Sequence, residues 1–172
     1  MRGALAGVTV LLMASSALAQ DNAIARALAT EAKTNETNMT SAAEAMPAEK
    51  FSYKPTPDQN SFGQLIFHAA DANYRLCSMM SGDKAPEAAV KADGAKQALI
   101  DQMKQSFAFC YGAFDKVDAS KLATQVKFGN RDVSIAWVAL HTALDWGDHY
   151  SQVATMLRLN GITPPAAQRR PR

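Results

Sequence analysis

The sequence predicts an all-α fold, one four-helix bundle preceded by a cleavable leader, and three observations carry that prediction. Four long stretches bring apolar residues back at steps of three and four. No stretch alternates apolar and polar residues convincingly, as a strand does. Once the leader is set aside, the remaining length suits one domain around a single sizeable core.

The leader occupies residues 1–19. Arg2 is followed by an apolar run from Ala4 to Met13 and a small-residue stretch closing Ala17-Leu18-Ala19 before Gln20, the order of charge, apolar core and A-x-A site found in secretory signals. The run is only about ten residues long, and a membrane span needs about twenty. Cleavage near Ala19 and a periplasmic or secreted mature protein are expected, without stable membrane insertion, because nothing later in the chain is apolar for long enough. Removing nineteen residues from 172 leaves 153.

The first helix is expected from about Asp21 to Ala45, rich in Ala, Glu and Lys, with a thin apolar stripe and Pro47 as its stop. Residues 48–60, AEKFSYKPTPDQN, set Phe51, Tyr53 and two prolines in polar surroundings, which predicts an extended crossing loop pinned by its aromatics. Ser61, with Gln64 three residues later, marks the start of the second helix as a capping box. Leu65, Ile66, Ala69, Leu76, Cys77 and Met80 give that helix an inward stripe, and Ser81-Gly82-Asp83 ends it. Residues 84–94, with Pro86 and Gly94, form a mixed loop. Helix three then carries Leu99, Met103, Phe107, Cys110 and Phe114 on one face.

A polar loop leads to Asn130, and the last helix is expected from about Asp132 to Asn160. Its apolar side is assigned to Val133, Trp137, Leu140, Leu144, Val153, Met156 and Leu157, with Gly161 as a left-handed stop and Pro164-Pro165 behind it. Amphipathic helices joined by modest loops are most simply satisfied as one bundle, spanning residues 20–165. Residues 166–172, with Arg169, Arg170 and Arg172, are expected to be a disordered basic tail.

Lysine and arginine number 18 against 16 acidic residues. A nearly neutral mature chain with three tail arginines beside prolines disfavours nucleic acid as a partner. Two cysteines in an exported chain first suggest a disulfide. In a helical hairpin, however, Cys77 near one helix end and Cys110 deep in the next helix would differ in height by about 15 Å, and a bridge needs Cα atoms about 4.4 to 6.8 Å apart. Two free, buried thiols are therefore expected. No C-x-x-C-H is present, so covalent haem attachment is excluded.

Chemistry, if present, centres on the histidines. His141, Asp145, His149 and Gln152 recur at steps of four, four and three and share one side of the last helix. Asp145 and His149 can face one metal from successive turns, and His68 on the inward flank of helix two is the candidate for the third position. A His/Asp/His set leaves a coordination position open, the pattern of a catalytic metal. Imidazole and carboxylate suit zinc, nickel, iron or manganese alike. The same residues also suit core histidines hydrogen-bonded to neighbours, with Asp145 simply holding His149. Trp137 and Trp146 fit packing, Asp148 a solvated acid, Tyr150 an interhelix hydrogen bond, and Arg158 a cation at a helix end. Tyr74 and Arg75 fit an interface or a surface.

F-G-Q-L-I-F-H-A-A-D-A-N-Y-R-L-C at 62–77, D-H-Y-S-Q-V-A-T-M-L-R-L-N-G-I-T-P-P at 148–165 and A-M-P-A-E-K-F-S-Y-K-P-T at 45–56 occur together, and the chain resembles the DinB-like (YfiT-like) family of metal-dependent enzymes. The resemblance implies a four-helix bundle, often a homodimer, with a divalent metal held by one His on helix two and two His four apart on the last helix. His68 matches the first and His149 the last. Asp145 stands where the family has a middle His, and His141 is a substitute from the preceding turn. Relatives include thiol transferases in which the metal lowers a thiol's pKa, but such thiols are chiefly cytoplasmic cofactors and that substrate is not carried over. The expected function is a metal-dependent enzyme acting on an unidentified small molecule, with catalytic residues unassigned. The alternative is a non-catalytic exported bundle, binding or stress-related, with a degenerate site. A third reading is an interaction module dimerising through the loop aromatics and helix two.

Overall fold

The computed structural model describes the backbone of residues 15–168 and the side chains of residues 23–168. Most of the leader, residues 1–14, and the tail arginines Arg169, Arg170 and Arg172 lie outside the described residues. Four long helices form the frame: α1 (Ser15–Ala45), α2 (Phe62–Ser81), α3 (Lys96–Phe114) and α4 (Ile135–Leu159). A two-stranded antiparallel hairpin, β1 (Gln125–Phe128) and β2 (Arg131–Ser134), leads into α4, and a short α5 (Pro165–Gln168) packs on α1.

Side-chain partners fix the directions of the helices. Tyr111 meets Glu36, Lys104 meets Glu44, and Lys96 meets the carbonyls of Glu44 and Met46, so α3 descends as α1 ascends. Leu99 lies against Gly63, Ser106 against Asn73, and Lys116 against Asp83; these partners advance together, so α2 and α3 are parallel. His149 faces His68 and Trp146 faces Asn73, which makes α4 antiparallel to α2. The bundle thus runs up, down, down, up, and α1, α3, α2 and α4 follow one another around it.

This topology overturns the expectation of free thiols. Cys77 and Cys110 form a disulfide with Cα atoms 5.2 Å apart, both fully buried. The height mismatch assumed an antiparallel hairpin. Instead residues 82–95 run back along the bundle as a non-helical crossover. At about 3.3 Å per residue, fourteen residues suffice to retrace a helix of nineteen at about 1.5 Å each. Both cysteines then sit one turn from the same end of the bundle.

Local signals explain most helix ends. Ser61 Oγ accepts from the Gln64 amide at 3.2 Å while Gln64 Oε1 accepts from the Ser61 amide at 2.8 Å, closing the capping box. Gly82 ends α2 at φ 77°, and Gly161 follows α4 at φ 75°. The last carbonyls of α1 are met by Lys96, whose Nζ donates to Glu44 O at 2.8 Å and Met46 O at 2.7 Å. Gly63 has a steric reason: its amide donates to Phe51 O at 2.8 Å, and a Cβ there would stand 3.2 Å from that oxygen. The close approach seats Phe51 edge-on against Phe62, at 5.2 Å between ring centres, so the loop aromatic is committed within the chain.

The core is continuous from α1 to α4. Leu28, Ala32, Asn35, Met39, Ala42 and Met46 are buried at steps of four, three, four, three and four, a coiled-coil-like seam in which small residues let α1 approach closely. Phe107, Phe114 and Trp146 meet at the centre, with ring centres 5.7 and 6.2 Å from the Trp146 ring. Burial of each such side chain is worth about 1.5–3 kcal/mol.

Three further expectations are corrected. The stretch before α4 is not a plain loop: Val126 pairs with Val133, and Gly129 supplies the positive φ of the turn, 60°. A four-residue strand is too short for its alternation to register. Because the chain enters α4 from that hairpin, Ser134 caps the helix by accepting from the Trp137 amide at 3.1 Å, and the first-turn amides of Ile135 and Ala136 donate to Thr124 O and Leu122 O. The buried face of α4 is Ile135, Val138, Ala139, Thr142, Trp146, His149, Val153 and Leu157; Leu140 and Leu144 are each 62% exposed and point outward. Residues 166–168 of the expected tail are helical, as the end of α5, with Gln168 Nε2 donating to Thr163 O at 2.9 Å.

Candidate functional site

Two polar levels bridge α2 and α4. The inner one centres on Asn73, 1% exposed. Its Nδ2 donates to Ser106 Oγ at 2.9 Å, and its Oδ1 accepts from Trp146 Nε1 at 2.6 Å. Ser106 Oγ in turn donates to Met103 O at 2.8 Å. One amide therefore ties three helices together, and every polar group in the set has a partner. Sequence reading missed it, although a polar residue between Ala70 and Cys77 on an otherwise apolar stripe was the available signal.

About one turn along α4 lies the second level. His149 is buried, at 5% exposure, and His68 is exposed on α2. Their rings meet at 5.0 Å between centres with a 45° tilt. His149 Nδ1 is 2.7 Å from the Asp145 carbonyl oxygen and 3.3 Å from Asp145 Oδ2. Both oxygens only accept, so Nδ1 carries the proton and Nε2 keeps the lone pair of the neutral ring. Burial pulls the His149 pKa down, but the hydrogen bonds and charge of Asp145, with the charge of Asp148, outweigh it and lift the pKa above the ordinary value of 6.5. Asp148 itself accepts from Gln152 Nε2 at 2.8 Å.

The i, i+4 spacing thus joins Asp145 to His149 directly, and the fold brings His68 beside them. It does not bring His141. That ring is stacked on Trp137 at 4.5 Å and 15°, and it meets the edge of Phe128 at 5.4 Å. It stands two turns from His149, about 12 Å along the helix. Among the described residues, no group of three or more His, Cys, Asp or Glu side chains is arranged to share a metal ion. The Asp145 carboxylate, turned to His149 Nδ1, supports an imidazole and does not converge with it on a common point. What the site supplies is two imidazoles, one of them buried and fixed in tautomer.

A region that sequence analysis did not foresee lies beyond His141. Phe128 packs edge-on to Trp137 at 5.1 Å, Arg75 lies 5.4 Å from the Phe128 ring centre, and Arg131 lies 5.7 Å from Phe128 and 5.1 Å from Trp137. The hairpin creates this grouping by delivering Phe128 and Arg131 to the flank of α2.

Residues 31–153 match the model of the DinB superfamily. Among solved structures, the chain is similar to a DinB-like protein from Bacillus cereus, at 14% identity and TM-score 0.62 over 76% of this chain and 89% of that one. It is similar to a conserved protein from Enterococcus faecalis at 15% identity and TM-score 0.66, over 78% and 95% of the two chains. A DinB-like protein from Bacillus subtilis, at 15% identity and TM-score 0.66, is covered over 93% of its length by 80% of this chain. Comparison with curated proteins found no match.

Proposed function

This chain belongs to the DinB superfamily, and from that premise we propose that it is an exported metal-dependent protein in which His68 and His149 bind a divalent ion and Asp145 positions His149. The observation that carries the reading is the pair of imidazoles 5.0 Å apart, one with its Nδ1 committed to Asp145. A ligating histidine characteristically donates its other ring N–H to a carboxylate or carbonyl, which orients the ring and raises its basicity. Zinc, nickel, iron or manganese would suit the imidazoles. A bound divalent ion would act as a Lewis acid toward a water or a substrate thiol or oxygen. The chain's own part is to hold His149 Nε2 lone pair outward, to keep that ring buried, and to leave His68 open to an incoming small molecule.

Export is supported by the leader-like residues 1–19 and by a buried disulfide, a bond typical of oxidising compartments. A second reading is supported by the engaged carboxylate: with Asp145 bonded to His149, the protein is a non-catalytic exported bundle whose ancestral centre has become a hydrogen-bonded pair. Metal analysis of untagged mature protein separates the two. The first reading expects close to stoichiometric metal, lost in His149→Ala and reduced in His68→Ala, with a melting temperature that falls on chelation because the ion binds only the native state. Equal, negligible metal in all three proteins and an unchanged melting curve would establish the second.

A further inference from the structure

We propose that the cavity between α2, the 82–95 crossover and the tip of the hairpin is a binding site for a small organic anion, a carboxylate or phosphate on a short apolar or planar body. The cavity measures about 370 Å³, within the range of small-molecule sites. Arg75, Lys127, Phe128, Tyr74, Met79 and Pro86 supply most of its character, and Asp71 is the acidic group on its wall.

The charges carry the argument. Lys127 is paired with Asp132 at 2.9 Å. Arg75 and Arg131 have no carboxylate within ion-pair distance and no hydrogen-bond acceptor among the described residues. Among the described residues their contacts are with aromatic rings: Arg75 at 5.4 Å and Arg131 at 5.7 Å from the Phe128 ring, with Arg131 also 5.1 Å from that of Trp137. Arg75 lines the cavity and Arg131 stands just outside that lining. Two guanidiniums on one ring are within about 11 Å of each other and repel, so an anion held by Arg75 removes a cost as well as adding attraction. A ring contact uses the guanidinium face and leaves its N–H edge free, the edge that grips a carboxylate or phosphate with two parallel hydrogen bonds. Trp137 and His141, stacked on each other, both meet the Phe128 ring edge to face and hold it in place. Phe128, Met79 and Pro86 then offer an apolar wall beside the charged end.

Arg75 is two turns along α2 from His68, about 10 Å. The inference does not depend on metal binding at the histidines, and its test is run on metal-free protein. Titration calorimetry of chelated mature protein with phenyl phosphate, benzoate and inorganic phosphate should give saturable binding of at least one aromatic anion, weakening as salt is raised. Which aromatic anion binds identifies the head group. The double variant Arg75→Ala, Arg131→Ala should lose at least about tenfold in affinity. Arg75→Lys with Arg131→Lys should also weaken binding, because charge is kept but the paired donors are not. Asp71→Asn should strengthen it. All three positions are exposed, and unchanged far-ultraviolet circular dichroism would show that each variant folds. No saturable binding of any probe up to about 10 mM, equal binding by wild type and the double Ala variant, or inorganic phosphate bound as tightly as phenyl phosphate would each overturn the proposal.

Discussion

The two polar levels between α2 and α4 use the same pair of helices and differ in what they leave unsatisfied. At Asn73 both polar atoms of the side-chain amide are engaged, out of contact with solvent, and the disulfide one turn further along α2 closes that region covalently. At His149 one ring nitrogen is fixed and the other is spare, beside an exposed second imidazole. A closed network of the first kind serves stability, since a buried polar group repays its burial only when fully paired. A half-open one is tolerated beside it because the rigid level holds the helices in register. The difference predicts that substitutions in the first region will be read in stability and those in the second in ligand binding.

The largest effect should come from breaking the covalent closure. Cys77 and Cys110 are separated by 33 residues, and freeing a loop of that size costs about 3–4 kcal/mol in the chain-entropy account. Denaturant unfolding of Cys77→Ala, Cys110→Ala should show that loss with metal binding retained. A loss of metal in proportion to stability would merge the two regions. Asn73→Ala should come next, at about 2–3 kcal/mol, because it strands Trp146 Nε1 in the core and takes away the donor to Ser106 Oγ. Asp145→Asn should invert the pattern, costing about 1 kcal/mol or less in stability and about 10- to 100-fold in metal affinity, measured by competition with a chelating dye. Unaltered affinity in that variant would remove Asp145 from the site.

The same contrast explains what was legible in the sequence. Helix ends were, because Ser61 with Gln64, Gly82 and Gly161 act through their own neighbours. The inward stripes of α2 and α3 were, because Leu65, Ile66, Leu76, Leu99 and Phe107 repeat with the helix. The direction of α3 was not: it depends on a fourteen-residue crossover with no periodicity, and with it went the disulfide. Leu140 and Leu144 misled for a related reason. They continue an apolar stripe, but the face of α4 that turns inward is set by Trp146 and His149 meeting α2. His68 was a candidate from its place on helix two, the resemblance paired it with His149, and spacing set Asp145 beside His149. That the carboxylate would bond Nδ1 was only one of two arrangements the spacing allowed. The arginines over Phe128 were invisible because they sit on separate elements joined only by the hairpin.

The smallest effect is a pH dependence, and its sign follows from Asp145. In the folded state the carbonyl and carboxylate of Asp145, with the charge of Asp148, favour the imidazolium of His149 more than burial opposes it, so its pKa lies above the unfolded value of 6.5. A group of that kind contributes stability that is complete below the unfolded pKa and is lost as pH rises through the folded one. In metal-free protein, the gap in unfolding free energy between wild type and Asp145→Asn should therefore be widest near about pH 5.5 and narrow by about pH 8, because the substitution keeps the backbone bond and removes only the charge. A gap for Asp145→Asn that stays constant with pH would mean that the carboxylate acts on His149 by hydrogen-bond geometry alone, and the open level would then differ from the closed one only in exposure.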